Sequence, residues 1–424
     1  MKPQRQRGLL LVALLCAMCA AALAARSSGV EKKISPESLQ QDAAAQRAAK
    51  YKGIKAAFVA DDEDGPEKPG EITHEMEREW LELGERVDKH RRRRGGEQPE
   101  PDPDSHKFCH TTLYRKRTLK VVKEAPFIGL FKDLRNISRF EGSALTAAKG
   151  AYWAVFDSLR TIARIDEHFQ FRGDGNALVP EDVGESESQF EGLQYMAATD
   201  SFVAVRESVD HATHGIVPLL EEIKVAKDGK SWKLGEVCPA HFFGLEDANK
   251  GWEAIYYYEA GGERYLLGQC ESNYCKTIVG DDPPGLDRGH GRLILTRYAK
   301  GKPGDVDACA WEVIKEIKLP REAAFLDYSG LSFPAPFSRR AAITSQEDAA
   351  VWVGEFDWDA MEFVPGGRVY HFPRDEDCDK VYCNIEGVTW LDNTRLMFAS
   401  DRSKAIQDHK CMANDQSVHI FALP

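Results

Sequence analysis

Ile385-Glu386-Gly387-Val388-Thr389-Trp390 reads as a large apolar residue, an acid, a small residue and then alternating apolar positions. The pattern recurs in Phe140-Glu141-Gly142-Ser143-Ala144-Leu145, Phe190-Glu191-Gly192-Leu193-Gln194-Tyr195, Trp252-Glu253-Ala254-Ile255-Tyr256-Tyr257 and Tyr328-Ser329-Gly330-Leu331-Ser332-Phe333, where Ser329 replaces the acid. Alternation with aromatic and branched residues predicts a short strand in each copy.

About 15 to 18 residues after each acid, or after Ser329, an apolar run ends in a second acid. These acids are Asp157, Glu207, Glu271, Glu347 and Asp401. In an antiparallel pair the start of one strand lies beside the end of the next, so the two acids of each repeat should share one end of a sheet. Candidate third strands follow at residues 161–165, 216–220, 292–296, 350–354 and 418–422, and a fourth strand in the complete copies, as at residues 311–317. Repeats of roughly 50 to 76 residues, each with four strands, are the signature of an all-β protein with the β-propeller fold. The last copy ends after its third strand, and residues 113–122 have no repeat of their own. An N-terminal strand that completes the last blade would close the ring and remove exposed edges. The expectation is five blades; a sixth would have to lie within the long 253–329 interval.

Outside the repeats the chain divides into three. Residues 1–25 combine a basic start, an apolar run and the small residues Ala22-Leu23-Ala24-Ala25, which predicts a secretory signal peptide and no stable membrane insertion after its cleavage. Residues 26–105 are rich in Glu, Lys, Arg, Gln and Pro, and read as a mostly disordered arm or propeptide. Within the arm, residues 72–93 form a weakly amphipathic helical pattern. Arg91-Arg92-Arg93-Arg94 reads as a solvated basic patch or a processing site. Residues 106–424 carry the propeller.

The chain has 424 residues and a formal net charge of −12, which argues against nucleic acid as a partner. Ten cysteines are present, and Cys16 and Cys19 fall in the signal. The eight that remain suggest disulfides in a secreted, extracellular protein. Cys270–Cys275 is the favoured pair, with Cys378 or Cys383 joined to Cys411. No second CxxC or His pair accompanies these spacings to make a zinc knot. Asn136-Ile137-Ser138 is a glycosylation sequon.

First strands of propeller blades line the central channel. Glu141, Glu191, Glu253, Ser329 and Glu386 are therefore expected as an oxygen ring at one mouth, surrounded by the second acids. Grouped carboxylates need charge compensation, and calcium, which takes six to eight oxygen ligands, supplies it. The competing reading is that the acids cap blade turns. Arg139, Lys250, Arg206 and Arg402, together with Lys404, lie beside these acids in the sequence and are candidate contacts for a small phosphorylated ligand. His211 and His214, in His-Ala-Thr-His, have ligand spacing but sit in a polar loop with no third ligand in reach, and read as exposed. Serine-hydrolase and P-loop motifs are absent.

Phe190-Glu191-Gly192-Leu193 with Val205-Arg206-Glu207-Ser208, Tyr328-Ser329-Gly330-Leu331-Ser332-Phe333, and Ile385-Glu386-Gly387-Val388-Thr389-Trp390-Leu391 with Phe398-Ala399-Ser400-Asp401-Arg402 resemble the secreted propellers called esterase-like phytases. The likeness covers residues 108–424. The oxygen ring is also similar to that of the calcium-activated nucleotidases, five-bladed propellers that hold calcium in the channel and cleave nucleoside di- and triphosphates. The resemblance implies calcium-dependent hydrolysis of phosphoester or phosphoanhydride bonds, with Glu386 or Glu191 positioning water. The alternative class is a non-enzymatic extracellular propeller that binds a glycan, a peptide or a cation.

Overall fold

The computed structural model describes residues 109–132, 134, 137, 139–180, 188–241, 251–271, 291–302, 307–404 and 407–424. The expected signal peptide, arm, basic run and sequon, together with Lys250 and Cys275, lie outside the described residues.

Twenty strands form five four-stranded antiparallel blades. The first strand, β1 (Lys120–Pro126), belongs to the last blade. Blade 1 is β2 (Gly142–Ala148), β3 (Ala151–Phe156), β4 (Ile162–Ile165) and β5 (Ala177–Val179). Blade 2 is β6 (Phe190–Met196), β7 (Ser201–His211), β8 (Gly215–Val225) and β9 (Trp232–His241). Blade 3 is β10 (Trp252–Ala260), β11 (Glu263–Cys270), β12 (Arg292–Lys300) and β13 (Cys309–Lys318). Blade 4 is β14 (Gly330–Ser332), β15 (Arg340–Ser345), β16 (Ala350–Asp357) and β17 (Glu362–His371). Blade 5 is β18 (Ile385–Trp390), β19 (Arg395–Ser400) and β20 (Ser417–Ala422), with β1 paired antiparallel to β20.

The last blade is thus completed by the N-terminal strand, as the repeat count predicts, but the strand lies later than expected. Residues 112–115 form a helical turn, α1 (Thr112–Arg115), instead. Thr111 caps it by accepting a hydrogen bond from the Tyr114 N–H, and the Tyr114 ring is buried. A side-chain oxygen at that position offers the backbone an alternative to the ladder. Two parallel pairs, Trp311↔Ala240 and Glu312↔His241, join the outermost strands of blades 2 and 3 into one eight-stranded sheet. Nothing in the repeat pattern predicts this junction.

The core lies between blades. Trp153, Phe190 and Phe202 pack blade 1 on blade 2; Trp252, Leu266 and Trp311 join Val203 and Val205 between blades 2 and 3. Tyr256, Phe333 and Trp352 fill the next interface, and Val351, Phe398 and Phe421 the one after it. Phe140 and Phe156 of the first repeat meet Met397, Val418 and Ile420 of the last around Phe127, which is fully buried in α2 (Phe127–Leu130). That fifth interface closes the ring.

Among the described residues the disulfide pairs are Cys109–Cys378, Cys238–Cys309 and Cys383–Cys411. The last is one of the two pairings expected for Cys411. Cys378 instead anchors the N-terminal segment, and Cys238–Cys309 fastens β9 to β13. Both link residues far apart in sequence, a proximity that only the ring creates. Cys270 is also disulfide-bonded, but the expected pairing with Cys275 is not decided by the described residues.

Candidate metal centre at the channel mouth

The innermost strands explain why an acid is followed by a small residue. In β6, β10 and β18 the ladder to the second strand slips at Phe190/Gly192, Trp252/Ala254 and Ile385/Val388, so Glu191, Glu253 and Glu386 each sit in a bulge. In β2 the slip falls two residues later, between Gly142 and Ala144, so Ser143 and not Glu141 is the bulged residue. A bulge releases its residue from strict face alternation and re-aims the side chain. The following position has no room for a side chain. A Cβ on Gly387 would lie 2.8 Å from Ala144 Cα of blade 1, and one on Gly330 would lie 2.4 Å from the Glu386 carbonyl oxygen of blade 5. Neighbouring inner strands therefore approach backbone to backbone around the channel.

This arrangement brings the expected acids together. Burial pushes the Glu191 carboxyl well above the usual carboxylate range, and the negative charges of Glu386, Asp157, Glu207 and Asp401 push it further. Glu253 is raised by burial and then by Glu207, Glu271, Glu191 and Glu386. Glu386 is raised by burial and Asp401, against the opposing charge of Lys404. Burial lifts Asp401 to about 7, opposed by the Arg402 backbone N–H, with Glu141 adding to the rise. The mouth is a set of carboxyls that resist simultaneous ionisation.

Within it, one ligand oxygen each from Glu207, Glu253 and Glu271 lies within 4.8 Å of the other two. The Gly251 N–H donates to Glu207 Oε1 at 2.9 Å, fixing that carboxylate. This cluster is drawn from blades 2 and 3. Of the five residues expected as metal ligands, Glu141, Glu191, Glu253, Ser329 and Glu386, only Glu253 is in it. Glu191 and Glu386 are electrostatic neighbours. Glu141 has Arg139 beside it at 3.7 Å. The Ser329 hydroxyl donates to the Ile385 carbonyl at 3.2 Å and so knits blade 4 to blade 5.

Blade 4 also corrects the second acid. Pairing of Gly330 with Thr344 places Gln346, not Glu347, at the position held elsewhere by Glu207, Glu271 and Asp401. Gln346 is buried and Glu347 is exposed. Repeat alignment alone missed this by one residue, because Glu347 was the nearest acid. It also passed over Asp327, a buried carboxyl that accepts hydrogen bonds from the Ser345 hydroxyl and, at 3.0 Å, from the Glu347 N–H. Burial raises Asp327 to about 7 despite these bonds.

The candidate anion contacts fare unevenly. The Arg206 guanidinium donates to the Ser188 carbonyl and to Gln189 Oε1, each at 3.1 Å, and lies 3.8 Å from Glu221. Those partners occupy it within blade 2. Arg139 faces Glu141. Arg402 is exposed, and its contact with Asp401 is through the backbone N–H. Lys404 is the cation whose charge reaches both Glu386 and Asp401.

His211 and His214 are not a loop pair without further ligands. They bracket the β7–β8 turn and converge with His241 on Asp307. Sequence reading missed both partners because they lie about 30 and 95 residues further along the chain.

No protein-family model matches the sequence, and no curated protein matches it. Among solved structures, the PQQ-bound aldose sugar dehydrogenase of Streptomyces coelicolor is similar at 10% identity and TM-score 0.40, over 71% of this chain and 98% of that one. Myxococcus xanthus glutaminyl cyclase is similar at 9% identity and TM-score 0.38, over 72% and 96%. A structure described as the Dos1 propeller gives 8% identity and TM-score 0.32, over 68% and 59%. Likeness this distant carries no argument about chemistry. The blades, their order and the closing strand define a five-bladed β-propeller in their own right.

Proposed function

We propose that the channel mouth binds a divalent cation, calcium by its donor chemistry, and that the protein is a secreted, phytase-like propeller acting on phosphoesters there. The observation that supports this is the convergence of Glu207, Glu253 and Glu271 within 4.8 Å, in a mouth whose other acids add to the same negative field. The donors are carboxylate oxygens without sulfur or nitrogen, which suits a hard cation. Bound calcium would compensate that charge and polarise a phosphoryl oxygen.

Around that cation, Glu386 and Glu191 would be the carboxyls that accept a proton from water; burial and neighbouring acids hold both well above the usual carboxylate range. Lys404, with Arg402, is the basic group left to face a phosphate. The commitment of Arg206 and Arg139 to protein partners favours a second reading, a cation-binding extracellular propeller without turnover.

Purified protein assayed with phytate, nucleoside diphosphates and a generic phosphomonoester separates the two. Chelator-sensitive phosphate release, abolished in Glu386→Gln, supports hydrolysis. A calcium-dependent rise in unfolding temperature without release on any substrate supports the binding propeller. No calcium response at all reduces the acids to turn caps and ends both readings.

A further inference from the structure

A second cluster of ligating side chains lies away from the channel, where the outer strands of blades 2 and 3 meet. His211 ends β7, His214 precedes Gly215 at the start of β8, and His241 ends β9. Asp307 lies two residues before Cys309, the first residue of β13. The Nε2 atoms of His211, His214 and His241 stand 3.2, 2.9 and 3.7 Å from Asp307 carboxylate oxygens. One ligand atom each from His211, His214 and Asp307 lies within 4.8 Å of the other two. We propose that these four residues bind zinc and that the metal clamps the β7–β8 hairpin of blade 2 to the start of β13 in blade 3.

The geometry suits zinc. Metal–ligand arms of about 2.0–2.1 Å in a tetrahedron give ligand–ligand edges of about 3.3 Å, and the three nitrogen–oxygen distances straddle that value. His211, His214 and Asp307 are the three ligands already together, and His241, which stands outside that 4.8 Å group at 3.7 Å from Asp307, would complete four protein ligands and close the site.

A hydrogen-bonded histidine cluster explains the arrangement less well. The Asp307 carboxylate takes His211 on Oδ1 and His214 on Oδ2. His241 Nε2 is buried and makes no hydrogen bond among the described residues. The rings are also close, with centroids of His214 and His241 4.1 Å apart and those of His211 and His214 4.9 Å apart. Three adjacent imidazolium cations would repel, whereas zinc uses neutral rings.

The other nitrogen of His211 has its own partner. Nδ1 lies 3.2 Å from the Thr213 hydroxyl, which as acceptor of the Nδ1 proton would leave Nε2 free to ligate. The Thr213 N–H also approaches Nδ1, at 3.4 Å. That longer contact favours the opposite tautomer and is the weaker of the two.

The frame is rigid where it matters. The Cys238–Cys309 disulfide joins β9 and β13 three residues before His241 and two after Asp307. Trp311↔Ala240 and Glu312↔His241 pair the same strands. Two ligands are therefore fixed by a covalent bond and a sheet, and the β7–β8 turn supplies the other two.

The test uses the full secreted chain, stripped with chelator, dialysed against zinc chloride in excess calcium, and analysed for bound zinc. One equivalent per chain is expected, unchanged in Glu253→Gln and lost in the His214→Ala/His241→Ala double variant. Asp307→Asn should weaken zinc at least about tenfold. Cobalt in place of zinc should give the intense visible bands of four-coordinate geometry. Absence of bound zinc in the unaltered protein, or equal zinc in the double variant, overturns the proposal. If the variants fail to fold, the cobalt spectrum of the unaltered chain decides, and a weak six-coordinate spectrum rejects the site.

Discussion

Gln346 Nε2 donates a hydrogen bond to Glu386 Oε1 at 3.0 Å across the junction of blades 4 and 5. The relationship is specific to this junction, because Gln346 stands where blades 2, 3 and 5 have an acid and Ser329 stands where the other blades have glutamate. At these two positions blade 4 thus brings neutral donors, although the buried Asp327 carboxyl still adds to the field on Glu386. A neutral amide beside Glu386 lowers the repulsion that a fifth pair of carboxylates would add. Gln346→Glu should therefore lower the calcium-free unfolding free energy at pH 8 by about 1–3 kcal/mol. Calcium should restore part of the loss, and denaturant titrations with and without calcium measure both.

Stability without metal should fall as pH rises. Asp401 and Asp327 are raised to about 7 in the folded chain, against about 4 for an unfolded aspartate, and Glu191, Glu253 and Glu386 are raised as well. The folded state then binds protons more tightly than the unfolded state. Its advantage is complete below the unfolded values and is lost as pH climbs through the folded ones. Urea midpoints in chelator should be higher at pH 5 than at pH 8. A flat or rising profile would show that the carboxyls are not in mutual contact.

Glu253→Gln should have opposite effects in the two metal states. Without calcium it removes one charge from the Glu207–Glu253–Glu271 cluster and should stabilise the protein at pH 8 by roughly 1 kcal/mol or more. With calcium it removes a ligand, and the calcium-induced rise in unfolding temperature should shrink correspondingly. Loss of stability in both states would mean that Glu253 is a structural hydrogen-bonding residue.

Gly387→Ala tests the packing of the ring independently of charge. The added Cβ would come within 2.8 Å of Ala144 Cα and 2.9 Å of the Ser143 carbonyl oxygen. Both are backbone atoms that cannot rotate aside. A destabilisation of about 1–3 kcal/mol is expected, which thermal unfolding would register. Gly150→Ala is not an equal control, since its φ of 69° adds strain of its own. The exposed Ile128→Ala serves better, because its side chain is 55% accessible and should have little effect.

The sequence by itself determined the propeller. Five copies of one strand pattern, each followed by an apolar run of fixed phase, are readable because a blade must alternate its side chains and repeat its turns. The ring closure was readable too, since an incomplete last repeat and an unassigned N-terminal segment leave one economical solution. Grouping of Glu191, Glu253 and Glu386 followed from their shared phase in that repeat.

Only the tertiary structure decided what depends on approach between blades. Gln346 rather than Glu347 reaches the mouth because strand register, not nearest charge, sets the position. Arg206 is drawn to Glu221 on the adjacent strand of its own blade, a pairing that spacing along the chain cannot reveal. His211 and His214 gain His241 and Asp307 only where the outer strands of two blades run side by side. A repeat encodes contacts within each unit through periodicity, whereas contacts between units are set by twist, bulges and loop length. That is why the fold was legible and the two clusters of ligands were not.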